Sequence, residues 1–237
     1  MDWREEGLLL RRAPHGENSV IIEVFTREHG RHAGIVRGGT SRKMAAVLQP
    51  GTQVDVAWRA RLEDHLGTYT VELVQSRAHL TQDRLTLSGL NALTGILSYA
   101  LPEREAHSAL YRQTLAVLEL MEEAFWPLAY LRWELSLLDE LGFGLDLERC
   151  VVTGSDQNLV YVSPKSGRAV AASAAGEWAD RLLPLSPALV GKSAEYEDIL
   201  NGLKVTGHFL RNHLAPALGS KPFPEGRQRL IDRLYKA

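Results

Sequence analysis

Cysteine is the scarcest chemistry in these 237 residues: there is one, Cys150. An internal disulfide is impossible, and the thiol-poor composition fits a reducing compartment, so the expected location is cytoplasmic. Long apolar runs are missing too. No stretch approaches the ~20 residues of a membrane-spanning helix. The opening MDWREEG carries charge where a secretory signal would carry an apolar core, so no membrane partner and no export are expected. Catalytic constellations are also missing. There is no GxSxG elbow, and Gly38-Gly39-Thr40-Ser41 lacks the Gly-Lys-Ser/Thr ending of a phosphate loop. The pairs His29/His32 and His208/His213 lack the i, i+4 spacing of a helical zinc site. Glu122-Glu123 and Asp139-Glu140 are neighbours in helical stretches and point to different sides. No enzymatic role, no cofactor and no metal are expected.

What is present begins with charge. The chain carries 27 Lys/Arg and 29 Asp/Glu, a net −2 that hides a division. Residues 1–80 hold 11 basic and 10 acidic residues, a net +1. Residues 81–201 hold 9 and 17, a net −8, and residues 202–237 hold 7 and 2, a net +5. Basic ends suggest contact with a polyanion, while the acidic middle suits solvent or a basic protein partner. The sharpest local signal lies between Arg27 and Lys43, where Arg27, Arg31, Arg37, Arg42 and Lys43 face one acid, Glu28. A basic stripe on a small barrel suits single-stranded nucleic acid, and these five are the candidate DNA-binding residues.

The first 80 residues read as strands. Gly7–Ala13, Val20–Phe25, Arg31–Arg37, Gln53–Arg61 and Tyr69–Arg77 alternate apolar and polar residues, with breakers at Pro14-His15-Gly16, Gly30, Gly38-Gly39, Pro50-Gly51 and Asp64 to Gly67. Five short strands in so few residues suit a closed barrel with few open edges. A helical turn is expected at Lys43–Leu48. Phe25 and Trp58 are expected in the core, and Tyr69 is the candidate for base stacking. From Thr81 to Gly142 the spacing turns helical, broken at Pro102 and Pro127. Three antiparallel helices packed on each other are expected, with the first capped near Thr81 and Arg84. Residues 143–171 are irregular, with a small hairpin expected across SPKSGR. Tyr196–Leu214 and Gly226–Tyr235 return to helix. The fold class is α+β: a barrel at 1–80 and a helical domain at 81–237.

The run EEGLLLRRAPHGENSVIIEVFTREHGRHAGIVRGGTSRK, then LQPG, resembles the N-terminal barrel of the RecO family of bacterial DNA-repair proteins. LDELGFGLDLERC resembles that family's lead into a cysteine module, and LRNHLAPALGSKPFPEGRQRLIDRL resembles its C-terminal helices. The resemblance spans the chain in order. It implies an OB-fold barrel followed by a helical domain, and a recombination mediator that binds single- and double-stranded DNA. It further implies annealing of complementary strands, partnership with RecR, and help for RecA to load on strands coated by single-strand-binding protein. An expected location at the nucleoid follows. The acidic tail of single-strand-binding protein is then an expected partner. Lys204, His208 and Arg211, at i, i+4 and i+7, could meet it on one helical face, with Phe209 and Leu210 flooring an apolar slot.

One departure stands out. Where many relatives carry two cysteine pairs for a structural zinc, this chain reads Cys150-Val-Val-Thr153, then Ala171 and Ala174. One thiol cannot hold zinc, so a metal-free zinc-module remnant is expected at 143–175, supported by Val151, Val160, Val162 and Val170. Because the stripe reads phosphate rather than sugar, an RNA- or ribosome-associated OB-fold module is the alternative. A protein adaptor with an incidental stripe is a third reading.

Overall fold

The computed structural model describes residues 1–219 and 221–236. Its first strand, β1 (Asp2–His15), is long enough to serve two neighbours. Residues 2–8 pair with β4 (Gln53–Arg59) and residues 7–15 pair with β2 (Ser19–Thr26), both antiparallel. A register shift between Leu9 and Arg11 breaks the alternation. Leu8, Leu9 and Leu10 are consequently all buried, although a strict period of two would turn alternate residues to opposite faces. β3 (Gly30–Arg37) continues the meander from β2, and β5 (Thr68–Gln75) pairs with β4. The sheet closes in the order β1-β2-β3-β5-β4 through one parallel joint, Ile35 beside Thr68, where Ile35 N–H donates to Gly67 O at 3.1 Å.

The interior is filled by the alternating positions of each strand: Val20, Ile22 and Val24 of β2, and Val54, Val56 and Trp58 of β4. α1 (Arg42–Val47), capped by Ser41, turns Met44 and Val47 onto that core. The architecture is α+β, a five-stranded barrel followed by helices, and the strand and α1 boundaries lie within a few residues of those expected, except that β1 starts five residues earlier.

Two compact units divide the chain at Glu122/Glu123, not where strand gives way to helix near residue 80. The first comprises Met1–Glu122 and Pro224–Arg233. Here α2 (Arg84–Ala100) and α3 (Ser108–Leu120) pack on the barrel. Leu90 of α2 lies over Gly51, whose φ of +86° and lack of Cβ admit it. Tyr111 of α3 meets Phe25 edge-on at 5.4 Å and donates to Glu6 O. Arg77, 3% exposed, reaches Glu119 of α3 at 2.6 Å and Gly51 O at 3.2 Å. The expected three-helix bundle is thus corrected. The apolar stripes of α2 and α3 serve the barrel's outer surface, and α4 (Trp126–Glu140) belongs to the second unit. The cap of α2 falls within the expected region: Asp83, with extended backbone, accepts from Leu85 and Thr86 N–H at 2.8 and 2.9 Å.

In the second unit α4 packs on α6 (Tyr196–Phe209), with Leu131 seated over Gly202 and the buried Glu134 carboxylate accepting from Thr206 Oγ1. Between them lie β6 (Leu159–Val162), β7 (Ala169–Ala171), α5 (Ala172–Ala175) and β8 (Leu183–Pro184), in the sheet order β7-β6-β8. The hairpin across SPKSGR forms as expected. α6 passes into a π-turn at Leu210–Leu214 and then α7 (Ala215–Ala217). The last helix, α8, is Glu225–Leu234, lying in the first unit as far as Arg233. Among the described residues no helix is long and apolar enough to cross a membrane.

Gly30 is where backbone freedom matters most. Its φ is +63°, and a Cβ there would sit 1.8 Å from Glu105 O. The left-handed region costs a non-glycine residue roughly 1–2 kcal/mol, and the backbone collision adds to it. Gly30→Ala is expected to lower unfolding free energy by roughly 2–4 kcal/mol in chemical denaturation. A loss below about 0.5 kcal/mol would contradict this packing.

Candidate nucleic-acid interface

The five predicted cations share a hairpin but not a place. β2 and β3 pair from Thr26–Gly30 at one end to Ser19–Arg37 at the other. Eight residues at about 3.3 Å each set those ends roughly 23 Å apart. Arg27 and Arg31 stand at the turn end, while Arg37, Arg42 and Lys43 stand where β3 runs into α1.

Their surroundings differ as much as their positions. Arg27 is exposed and pairs with Glu28 at 3.1 Å. Arg31 is only 14% exposed. Its guanidinium lies 3.3 Å from Glu23 and 3.4 Å from Glu103, and its Nε donates to Leu101 O at 2.8 Å. It therefore fixes the end of α2 to the barrel instead of offering charge to solvent. Arg37, Arg42 and Lys43 are exposed, and among the described residues none of them forms an ion pair. Arg12 joins them, with its guanidinium reaching Gly39 O at 3.5 Å in the turn after β3. Its neighbour Arg11 goes to Glu23 at 3.5 Å. The register shift before Arg11 decides which of the two faces this pole of the barrel, and no alternation rule applied to the sequence supplies it. His15 belongs to the same neighbourhood, since it pairs with Ser19, which pairs with Arg37.

Tyr69, the expected stacking residue, is 5% exposed and is corrected to the core. It lies among Trp3, His32 and Trp58, with its hydroxyl 3.0 Å from His32 Nδ1. Trp3 stacks on His29 at 4.1 Å, and His29 Nδ1 lies 2.8 Å from Glu5. A cavity of about 330 Å³ opens beside this cluster, lined by Asp2, Trp3, His29, Glu63 and Arg104 among others. Burial, reinforced by the nearby Arg104 charge, pushes the His32 imidazole down to about 4.

The helical candidates differ in their surroundings. Lys204 is exposed, bonds Asn201 at 3.1 Å and lies 5.7 Å from the Tyr235 ring centre. His208 is half-buried and turned inward, with its Nε2 donating to Pro164 O at 3.0 Å, alongside His213 at 2.8 Å. Arg211 is exposed but falls within the π-turn, whose wider turn displaces it from the regular face of Lys204 and His208. Phe209 and Leu210 are buried at 3% and 0% exposure, so they do not floor a surface slot.

Two family models match the chain in succession: "Recombination protein O N terminal" over residues 1–77 and "Recombination protein O C terminal" over residues 81–222. The chain belongs to the RecO family. Relatives named DNA repair protein RecO include one from Jannaschia sp. (strain CCS1), 59% identical across the whole of this chain and 97% of its own length. One from Cereibacter sphaeroides is 56% identical over the full length of both chains, and one from Ruegeria sp. is 59% identical over 100% of this chain and 99% of its own.

In this RecO-family chain the four positions expected to mark a zinc-module remnant, Cys150, Thr153, Ala171 and Ala174, do not fit zinc. Cys150 supplies the only thiol, and its Sγ accepts the Ala171 N–H at 3.3 Å. Thr153, Ala171 and Ala174 offer no ligand of the soft type that structural zinc takes. Among the described residues no group of three or more His, Cys, Asp or Glu could hold a metal. Cys150 packs with Val170, Ala171, Leu159 and Tyr161 instead. Val162 and Val170 are buried as expected, while Val151 and Val160 are each 37% exposed and are corrected to the surface. They fall on the outer side of the short sheet and its approach.

The His32 environment sets a pH dependence. Its native value lies below the ordinary 6.5, so below that pH the unfolded chain takes up a proton that the folded barrel refuses. Stability from this source is complete above pH 6.5 and is lost as pH falls toward 4. At 1.36 kcal/mol per pKa unit the loss approaches about 3 kcal/mol. Denaturation of wild type and His32→Gln at about pH 7 and pH 4.5 should show the gap between them narrowing in acid. A gap independent of pH would contradict the assignment.

Proposed function

We propose that this chain is a DNA-repair protein of the mediator kind, acting through non-covalent contact with DNA in the cytoplasm, at the nucleoid. The observation that carries the reading is the cluster of unpaired cations, Arg37, Arg42 and Lys43 with Arg12 beside them, at one pole of an OB barrel in a RecO-family chain. Each phosphate they neutralise releases condensed counterions, a gain indifferent to sequence and eroded by salt. Screening phosphate charge on two strands at once favours pairing of complements, which is the physical basis for annealing. Work with RecR, and help for RecA on strands coated by single-strand-binding protein, extend this reading from the family resemblance. Lys204, with Arg211 nearby, remains the proposed meeting point for the acidic tail of single-strand-binding protein, by charge alone. Arg27 is a lesser DNA contact because Glu28 competes for it, and Arg31 serves the fold.

The test is single-stranded DNA binding across a salt series. Changing Arg37, Arg42 and Lys43 together to Glu should flatten the salt slope by about 0.7 for each phosphate no longer neutralised. Arg31→Gln should lower stability while leaving the slope unchanged. A folded triple variant with the wild-type affinity and slope would overturn the assignment.

We further propose that residues 143–175 are a zinc module that holds its shape without metal. Chelator-washed protein should contain far less than one zinc per chain, and chelator should leave its melting temperature unchanged. Stoichiometric zinc that survives washing would contradict this.

A further inference from the structure

The second unit carries an open groove that DNA binding leaves unused. Two cavities, about 520 and 500 Å³, share Leu147, Glu148 and Val190 in their linings and so lie side by side. The lining is mixed: Leu135 of α4, Leu145, Leu147, Leu159 at the start of β6, Leu185 just after β8, and Val190, all half-buried, stand among Ser136, Gln157 and Asn158. The rim is anionic. Asp139, Glu148 and Asp156 are exposed, and among the described residues none of the three forms an ion pair. Lys192 is the single cation among the described residues that line the groove.

Its walls are fixed from both sides. Asp146, between Leu145 and Leu147, is held by backbone bonds to Gly167 and Ala169 and by Arg168 at 3.1 Å. On the other wall Ser186 caps the turn Pro187–Val190, and its hydroxyl donates to Asp198 O of α6 at 2.6 Å. A preorganised groove saves a ligand the cost of ordering it. A row of leucines kept half-open is a surface that gains by being covered. The carboxylates above it decide what can cover it, since they repel a phosphate backbone and attract lysine or arginine.

We propose that this groove docks a segment of a protein partner in which apolar side chains of leucine size alternate with lysines or arginines. The apolar side chains enter the two cavities, and the cations meet Glu148, Asp156 and Asp139 at the rim. The site is independent of the DNA-binding reading, since none of its residues belongs to the barrel cluster.

The test uses full-length protein and three short labelled peptides read by fluorescence anisotropy. The probe carries two leucines four residues apart, flanked by lysines. In one control serines replace the leucines, and in the other glutamates replace the lysines. Wild type should bind the probe at least about tenfold more tightly than either control. Glu148→Lys combined with Asp156→Lys, both at exposed positions, should lose about tenfold in probe affinity at an unchanged melting temperature. Oligonucleotide binding by that double variant should not weaken, which separates failure here from failure of the DNA reading. Wild-type protein that binds the three peptides alike, or none of them, would overturn the proposal. So would a folded double variant that binds the probe as wild type does.

Discussion

Much of the first unit depends on one carboxylate. Glu23, half-buried on the outer side of β2, receives Arg11 from β1, Arg31 from β3 and the Ser98 hydroxyl from α2. Four elements meet at one acid, which is how a partly buried charge is kept favourable: it is surrounded by donors instead of being left to water. The consequence is a division of labour among arginines. Those that reach Glu23 hold strands and helix together. At the opposite end of β3, Arg12, Arg37 and Arg42, with Lys43, form no ion pair among the described residues.

The barrel was largely legible because its signals are local. Alternation in β2 and β4, glycine at the turns and Ser41 before α1 each act over a few residues, and the observed elements match them closely. The partnership of the helices was not legible. A stripe such as Leu90, Leu93 and Leu97 declares that α2 has an apolar face, but not that the face is spent on β1 and Gly51 instead of on a sister helix. The same limit applies to the site. Charge density along the sequence marked the region Arg27–Lys43 correctly as basic, yet separating free from engaged arginines needs the positions of Glu23 and Glu103, one strand and some seventy residues away. Tyr69 failed for a related reason: its polar neighbours suggested exposure, while the parallel joint of β3 and β5 turns it inward against His32.

Cys150 sits buried beside the short sheet of the second unit. Its sulfur accepts a backbone N–H, and hydrogen bonds to Thr153, Ala171 and Val152 hold the thiol down at about 7 against the cost of burial. Apolar contacts from Val170, Leu159 and Tyr161 surround it.

Charge therefore sorts the two units. One concentrates unpaired cations at a barrel pole, and the other surrounds a leucine-containing groove with carboxylates that form no ion pair among the described residues. The central claim is that DNA is met by the cations that no acid engages. The most direct test is to compare hydrogen exchange of the full chain with and without single-stranded oligonucleotide. The account predicts new protection in the β1–β2 turn and the segment from Arg37 through α1, with the Arg27–Arg31 turn unchanged. Protection confined to the Arg27–Arg31 turn, or to the second unit, would contradict it.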